Sequence, residues 1–350
     1  MGSVDERKRI IIAGAGTGKT TLLKDIAIER SNEQRVLYLT YTIANAGEFK
    51  AAIIAELGHL PVTITIMTWF SFLLVHGVRP YPAEKFSHRI ERIQFNKGKV
   101  RQRSGIRRGD EDYYCPERGT IYRSRLSDLT VLCDKQWDGA VTSRICAIYD
   151  TILVDEGQDF AGYDYDILAS LMQESQEMVI VGDPRQQTYR TNDESKHSGV
   201  SHVFEFLNTQ CGYTPDTTTL NTTYRCSKAV IDRANSLYPD LPQVVPYAER
   251  ELGDTGEIRV FNKTGFEAWA RTRIQHITVL RYSSRTEVPD GFHTMNMGDS
   301  KGLTFDDVVI FPTNDMKQWI SDEEVNFAPE TRAKLYVAIT RARGDLIFVL

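Results

Sequence analysis

Short apolar runs alternate with amphipathic segments along the first seventy residues of the chain. The runs are bounded by Ser, Asn or Gly, residues that typically mark the joints between regular elements. Strands are therefore predicted where the apolar runs are short, and helices where apolar residues recur with a helical period. The predicted elements are strands at 9–13, 35–40 and 62–68 and helices at 20–30 and 44–57.

The alternation stops at residue 77 and resumes near residue 150. The segment 77–149 is polar and rich in arginine, has no clean period, and is interpreted as an insertion. Beyond it, strands and helices alternate again to the end of the chain. Further strands are predicted at 150–155, 178–182, 257–261, 277–282, 292–296, 308–311 and 346–350, and helices at 164–173, 266–273 and 331–341.

A stretch rich in Thr, Gly and Pro, residues 207–219, is the best candidate for a linker between two domains. Strands that alternate with helices predict parallel sheets, so the predicted fold class is α/β. The first domain is predicted to span 1–212, with the insertion 77–149 inside it. The second is predicted to span 213–350.

Composition limits the classes of function that the chain can have. The formal net charge is −5, so any contact with nucleic acid would have to come from local basic patches. The five cysteines are scattered without a CxxC pair, which argues against zinc and iron–sulfur sites and favours reduced thiols in the cytoplasm. The apolar run 64–78 is short and interrupted by polar residues, which favours a buried strand and helix over a membrane span.

The sequence AGAGTGKT, residues 13–20, lies between a predicted buried strand and a predicted helix. Glycines in such a turn let successive backbone N–H groups surround the phosphates of ATP. Lys19 would neutralise the phosphates, and the Thr20 hydroxyl would hold Mg²⁺. The strict pattern begins with glycine, where this chain has Ala13. The predicted ATP-binding residues of this stretch are Gly14, Ala15, Gly16, Thr17, Gly18, Lys19, Thr20 and Thr21.

Polar residues follow two later strands at the edge where parallel sheets bind ligands. Asp155 and Glu156 follow the strand at 150–155. Asp155 is predicted to hold the metal through water, and Glu156 to orient and deprotonate an attacking water. Gln186 follows the strand at 178–182 and is predicted to reach the γ-phosphate or its water. A solvated acidic loop is the alternative interpretation of residues 155–159.

Two arginines of the second domain are candidates for stabilising the transition state. An ATPase needs cations near the charge that develops on the phosphates, and Arg225 and Arg341 would supply them. The alternative for each is a surface ion pair. Tyr224 beside Arg225 would stack on a nucleotide base, or else belong to the core.

These motifs occur in the order that is typical of superfamily 1 helicases. They are AGAGTGKT, LTYTIANA, TWFSF, VDEGQD, VGDPRQQTY, LNTTYR, KGLTFDDVVIF and YVAITRA. The chain resembles the UvrD/Rep branch most, over residues 10–350 outside the insertion. The resemblance implies two RecA-like domains, with ATP in the cleft and single-stranded DNA across their top. It assigns ATPase roles to Lys19, Thr20, Asp155, Glu156, Gln186, Arg225 and Arg341, and base stacking to Tyr224.

The same resemblance assigns contacts with DNA. Tyr41 and Tyr189 match positions where the family places aromatic residues against DNA bases. Both follow predicted strand ends, and stacking on aromatic rings tolerates any base sequence. Near the family's phosphate-backbone contacts lie Thr40, Thr42, Thr68 and Ser71.

The insertion is strongly basic in its first half. Residues 84–108 include nine Lys or Arg and two Glu, a local charge of +7. Three interpretations are open: an arm that binds DNA phosphates, a surface that docks onto an acidic partner protein, and a solvated loop. The first of these assigns DNA contacts to Arg101, Arg103, Arg107 and Arg108.

The connection between the strands at 277–282 and 292–296 is short, so the large mobile subdomain of full-length relatives is missing. The predicted function is a DNA-dependent, Mg²⁺-requiring ATPase that translocates 3′ to 5′ on single strands and unwinds duplexes. The alternative is an ATP-driven, DNA-sensing subunit that regulates a nuclease, since UvrD-like proteins pair with nucleases in anti-phage systems. A P-loop kinase or GTPase switch would not explain Arg341 or the second α/β unit.

Overall fold

The computed structural model describes residues 7–81, 83–95, 100, 104–188, 196–247, 256–322 and 324–350. They form two compact units. The first contains the described residues of Met1–Ile12, Thr20–Gly182 and Tyr189–Asp216. The second contains Ala13–Lys19, Asp183–Thr188 and the described residues of Thr217–Leu350. The domains predicted from sequence, 1–212 and 213–350, assign residues 13–19 and 183–188 to the first domain instead, and they remain a prediction.

The first unit contains alternating strands and helices along most of its length. Its elements are β1 (Lys8–Ile12), α1 (Lys19–Arg30), β2 (Val36–Thr40), α2 (Ile43–Leu57), β3 (Ile64–Thr68), α3 (Trp69–Phe72), β4 (Arg92–Gln94), α4 (Glu111–Tyr114), β5 (Thr120–Tyr122), α5 (Leu126–Gln136), α6 (Ala140–Ile148), β6 (Thr151–Val154), α7 (Asp164–Glu174), β7 (Glu177–Gly182) and α8 (Val203–Cys211). A π-helical turn, Leu73–Val78, follows α3.

The main sheet of the first unit is parallel, with strand order β1-β7-β6-β2-β3. Strands β2, β6 and β7 are buried along their whole length, as expected for apolar runs in a sheet that is covered on both faces. The open edge of β1 is protected by Asp216, whose backbone exchanges hydrogen bonds with Ile10 and Ile12. Because the strands are parallel, the residues after β2, β3 and β6 leave the same edge of the sheet.

The segment 77–149 is more regular than its sequence indicates, because it contains α5 and α6. Leu126, Leu129 and Cys133 of α5, and Val141 and Ile145 of α6, belong to the hydrophobic core of the first unit. Their spacing of three and four residues is helical. The period was missed because polar neighbours are buried as well. These buried neighbours are Ser127, Asp128, Thr130 and Thr142.

The second unit contains another parallel sheet, with strand order β10-β14-β13-β11-β12. Strands β13 and β14 supply much of its core. Two parallel sheets with helical connections confirm the predicted α/β class. The elements are β8 (Thr222–Thr223), α9 (Lys228–Asn235), β9 (Val245–Pro246), β10 (Ile258–Phe261), α10 (Lys263–Ala270), β11 (Ile277–Arg281), β12 (His293–Asn296), β13 (Asp307–Phe311), α11 (Asn314–Asp322), α12 (Pro329–Ile339) and β14 (Leu346–Val349).

Part of the predicted linker is helical, because α8 continues to Cys211. The helix ends at Gly212, whose φ angle of 75° is the left-handed conformation typical of a helix C-terminus. The Thr- and Pro-rich remainder of 207–219 contains no helix. In the part of the chain that the structure describes, no helix is both long and apolar enough to span a membrane.

Candidate functional site

The loop after β1 is shaped by two glycines and by hydrogen bonds of its own side chains. Gly16 and Gly18 have φ angles of 71° and 88°, which glycine adopts without the steric cost of a Cβ atom. The Thr17 hydroxyl donates to the Gly14 carbonyl at 3.0 Å, and the Lys19 ammonium donates to the same carbonyl at 2.8 Å. The compact loop leads directly into the N-terminus of α1, where the helix dipole favours anions.

Residues of the second unit pack closely on this loop. The Tyr224 N–H donates to the Gly16 carbonyl at 2.9 Å. A Cβ atom at Gly16 would lie 2.6 Å from the Arg225 Cβ, and one at Gly14 would lie 2.2 Å from the Val244 Cγ2. Packing therefore disfavours a side chain at both glycines, and at Gly16 the positive φ angle disfavours it as well. Of the other predicted loop residues, Ala15 is buried, and Thr20 and Thr21 are exposed at the start of α1.

Asp155 directly follows β6 and is only 3% exposed. One carboxylate oxygen accepts a hydrogen bond from the Tyr38 hydroxyl at 2.8 Å and lies 3.4 Å from the Thr20 hydroxyl. The other accepts from the Glu156 N–H at 2.8 Å. Burial, together with the charge of Asp155, raises the pKa of Tyr38 well above its usual range, so this hydroxyl remains a donor. A carboxylate and a hydroxyl so close together fit Mg²⁺, which prefers hard oxygen ligands.

Glu156 has a backbone conformation that non-glycine residues rarely adopt, with a φ angle of 56°. The Gln158 amide donates a hydrogen bond to its carboxylate. Strained backbone of this kind costs about 1–3 kcal/mol and is concentrated at functional sites. Glu156 immediately precedes the helical turn Gly157–Asp159, and all three residues of this turn are buried. The solvated acidic loop that the sequence left open is therefore not what forms here.

Gln186 and Arg341 come together in the second unit, although they are separated by 155 positions in the sequence. The Gln186 amide nitrogen donates to the Asp183 carboxylate at 2.8 Å. Its carbonyl oxygen accepts from the Arg341 guanidinium at 3.2 Å. Arg341 is 1% exposed and donates to two backbone carbonyls as well. Arg341 is therefore not a surface ion-pair residue, which was the alternative open from the sequence.

Arg225 lies beside the loop glycine Gly16 within the second unit. Its guanidinium donates to the Thr340 carbonyl at 3.2 Å, and its backbone N–H donates to the Thr223 hydroxyl at 3.3 Å. Burial lowers the pKa of Arg225 from its ordinary value. The surroundings therefore disfavour its positive charge, and an anionic ligand nearby would compensate for this.

Tyr224 is exposed and does not belong to the core. Its ring centroid lies 4.9 Å from that of Tyr247, which is also exposed. The two rings follow the paired strands β8 and β9. Sequence reasoning missed Tyr247, since no motif includes it. Only its position opposite Tyr224 in the folded chain reveals the pair.

The predicted nucleic-acid contacts of the first unit gather at the ends of β2 and β3, where Thr40 pairs with Thr68. Thr40 is buried, so its side chain is not available at the surface. Thr42 and Thr68 cap the helices α2 and α3 by accepting backbone N–H bonds. The Thr68 hydroxyl also donates to Ser71, which is exposed. Tyr189, the second predicted stacking residue, lies outside the described residues.

Tyr41, which the resemblance assigns to base stacking, belongs to a larger surface that also includes two residues outside the motifs, Phe95 and Arg123. We call it the aromatic ledge and define it as Tyr41, Phe70, Phe95 and Arg123. Phe70 lies edge to face with Tyr41 at 5.8 Å and with Phe95 at 5.9 Å between ring centroids. Arg123 reaches the Tyr41 hydroxyl at 3.4 Å and lies over the Phe70 ring. Phe95 is 66% exposed, an unusual position for a large apolar ring.

The described basic residues of the segment 84–108 are largely engaged within the unit. Lys85 pairs with Asp110 and Arg92 with Glu117. Arg108 lies 2.6 Å from the buried carboxylate of Asp128 and also packs over the Tyr163 ring. Arg107 is exposed, and its N–H donates to Asp110. The other two predicted arm residues, Arg101 and Arg103, lie outside the described residues.

Comparisons with known proteins support a helicase relationship. The family model for the viral superfamily 1 RNA helicase core domain matches residues 117–350, and a model for an AAA domain matches residues 2–192. No curated protein sequence matches the chain significantly.

Two solved structures resemble the chain. One is the complex of Arterivirus nonstructural protein 10 (helicase) with DNA, with 14% identity, a TM-score of 0.49, and coverage of 98% of this chain and 61% of that one. The other is the PRRSV helicase, with 18% identity, a TM-score of 0.48, and coverage of 97% and 52%. The chain thus spans between one half and two thirds of the length of these helicases.

Proposed function

Since the chain belongs to the viral superfamily 1 RNA helicase core family, we propose that it hydrolyses ATP when it binds a single strand of nucleic acid, and moves along that strand. The contact between Gln186 and Arg341 carries this proposal. Gln186 follows β7 in the motif VGDPRQQTY, and Arg341 lies in the motif YVAITRA. Because the two side chains are hydrogen-bonded, a change at the phosphates would affect both motifs at once. A motor needs such a link, whereas a simple P-loop kinase does not.

The chemistry follows from the residues around the loop and β6. Lys19 and the loop N–H groups would bind the phosphates, and Thr20 and Asp155 would hold Mg²⁺, which would neutralise phosphate charge. Glu156 orients a water and accepts its proton, as a carboxylate in a fixed loop is suited to do. Arg225 and Arg341 stabilise the negative charge that develops in the transition state.

Finer features of the activity rest on the motifs and on the related proteins. The motif order resembles the UvrD/Rep branch, which supports movement from 3′ to 5′ on DNA. The matching family is named for RNA helicases, whereas one structural neighbour was solved with DNA. DNA and RNA should therefore both be tested, and stimulation of ATP hydrolysis by single strands of either kind is the expected common property.

One observation favours a second candidate function, the regulatory subunit of a nuclease-containing complex. Strands β11 and β12 are joined by residues 282–292 alone, so no mobile subdomain lies between them. A core without it would sense or grip a strand and unwind poorly. Strand displacement from a duplex with a single-stranded tail separates the two candidates, since a regulatory subunit would hydrolyse ATP without releasing the strand.

Replacing Glu156 by Gln tests the hydrolytic role. The amide keeps the shape of the side chain but cannot accept a proton, so turnover should fall by roughly 10²- to 10⁴-fold while nucleotide binding persists. Steady-state ATP hydrolysis and fluorescent-nucleotide titration measure the two properties. Glu174→Gln, the same chemical change on the exposed end of α7, serves as the control.

Hydrolysis at the normal rate by Glu156→Gln would show that another group accepts the proton. If the unaltered chain hydrolysed ATP at one rate with and without single-stranded DNA or RNA, the coupling to nucleic acid would be refuted instead. The two results are distinct: the first would refute the role of Glu156 as the proton acceptor, and the second would refute the dependence of ATP hydrolysis on nucleic acid.

A further inference from the structure

The aromatic ledge combines three features that favour a nucleic-acid base as its ligand. Phe95 presents an apolar face to solvent, where hydration disfavours it. Phe70 supports it edge to face, and Arg123 brings a positive charge to the same cluster. Phe95 and Arg123 both pack on Phe70, and an exposed ring and a cation in one cluster suit a ligand that has a flat π-face and a negative charge close together.

The origin of these side chains adds to the argument. Tyr41 and Phe70 follow the ends of β2 and β3, whereas Phe95 and Arg123 follow β4 and β5 of the segment 77–149. Strands β4 and β5 pair with each other, so Phe95 and Arg123 are brought to the cluster as a unit. The strand pair β4–β5 therefore extends the surface that begins at the ends of β2 and β3, through the contacts of Phe95 and Arg123 with Phe70.

Arg123 is held in place by its neighbours, yet part of it is uncompensated. One terminal nitrogen lies 3.4 Å from the Tyr41 hydroxyl, while its Nε is buried without a hydrogen-bond partner. Arg108 differs from Arg123 in this respect, because its guanidinium forms an ion pair with the buried Asp128 carboxylate. A guanidinium fixed against aromatic rings retains its attraction for a phosphate.

We propose that the aromatic ledge is a binding site for single-stranded nucleic acid, in which Phe95 stacks on a base and Arg123 binds the adjacent phosphate. The proposal rests on the nucleic-acid-dependent function proposed above. It assigns a nucleic-acid-binding role to the segment 77–149 through Phe95 and Arg123, which follow the paired strands β4 and β5. The arginine-rich arm is not needed for it.

The test compares two probes, an oligothymidylate and a strand of equal length in which every residue is abasic. Phe95→Ala should bind the oligothymidylate roughly 5- to 150-fold more weakly, because one stacking contact is lost. Its affinity for the abasic strand should be unchanged, and Phe95→Tyr should restore binding because it keeps a ring. Trp137→Ala, which removes an exposed aromatic ring outside the ledge, is the matched control.

Arg123→Gln should weaken the binding of both probes. It should also reduce the salt dependence of log K by about 0.7, the change expected for one phosphate contact on a single strand. Arg118→Gln removes the same charge at an exposed position before β5 and should leave the slope unchanged. Fluorescence anisotropy at several salt concentrations gives affinity and slope together.

The outcomes separate this proposal from the one on which it rests. If the unaltered chain bound neither probe, the nucleic-acid function itself would fail. If it bound both and Phe95→Ala matched it, the ledge would be refuted while the function stood. Equal weakening of both probes by Phe95→Ala would likewise exclude stacking, since an abasic strand has no base to lose.

Discussion

Arg225 of the second unit and Arg108 of the segment 77–149 were both predicted to meet phosphates, but their surroundings act on them in opposite directions. Burial lowers the pKa of Arg225 from its ordinary value. Burial also acts against the charge of Arg108, but the hydrogen bond and charge of Asp128 outweigh it and raise the pKa. The pKa of each guanidinium thus follows the balance between burial and the charges around it, and at Arg108 the carboxylate of Asp128 decides that balance.

The largest effect is expected at Arg225. Replacing it by Ala should reduce kcat by roughly 10³-fold, the lower end of what an arginine at a transferring phosphate contributes, with a smaller change in KM. Arg225→Lys should recover part of the loss, because it restores the charge but not the planar fork. Steady-state kinetics of ATP hydrolysis measure both parameters, and Arg271→Ala is an exposed control in the same unit.

An Arg225→Ala variant with normal kcat would break the comparison. The lowered pKa would then reflect burial for structural reasons only, as for many buried side chains. A rise in KM without a fall in kcat would be a third result. It would mean that Arg225 binds ground state and transition state equally.

A smaller effect, on stability, is expected at Arg108. Its loss leaves the buried Asp128 carboxylate without the guanidinium, so Arg108→Gln should lower the free energy of unfolding by about 2 kcal/mol. Urea denaturation followed by circular dichroism measures this. The double variant Arg108→Gln, Asp128→Asn should be more stable than Arg108→Gln alone, because no buried charge then remains unpaired.

If Arg108→Gln were as stable as the unaltered chain and bound nucleic acid less well, the contact with Asp128 would be incidental. The original prediction of a phosphate contact would then be favoured. The structure makes the opposite expectation because Asp128 is 1% exposed. A carboxylate at that depth requires a partner.

The strands of the two five-stranded sheets were the predictable part of this protein, whereas the roles of the motif residues remain predictions. Short apolar runs bounded by polar residues located the strands of both sheets, and the α/β class followed from their alternation. The glycines of the loop and Glu156 are recognisable because the chemistry constrains neighbouring positions in the sequence. Local spacing was enough to recognise these motifs, since the residues that define each of them are neighbours in the sequence.

Contacts between distant segments were not predictable in the same way. Phe95 and Arg123 belong to a stretch without a period, and only the pairing of β4 with β5 brings them to Tyr41. The helices α5 and α6 were hidden because polar residues are buried beside the apolar ones. The partner of Arg108 illustrates the same limit, because a basic run carries no sign of which carboxylate lies under it in the fold.

The smallest effect is expected at Arg107, which is exposed like its neighbour Arg108 but does not share the ion pair of Arg108 with Asp128. Its backbone, rather than its guanidinium, makes the contact with Asp110, at 2.8 Å. If the basic segment binds phosphates, Arg107→Gln should reduce the salt dependence of log K for a single strand by about 0.7, and Arg108→Gln should not. Anisotropy titrations of oligothymidylate at several salt concentrations measure the slope.

Equal slopes in both variants and the unaltered chain would remove the DNA-arm interpretation for the described part of the segment. Docking onto a partner protein and a solvated loop would then remain. Of these, docking predicts that Arg107→Gln loses co-purification with a partner from the native host. If Arg108→Gln reduced the salt dependence and Arg107→Gln did not, the expected order of the two arginines would be reversed. The guanidinium that pairs with Asp128 would then also have to contact the strand.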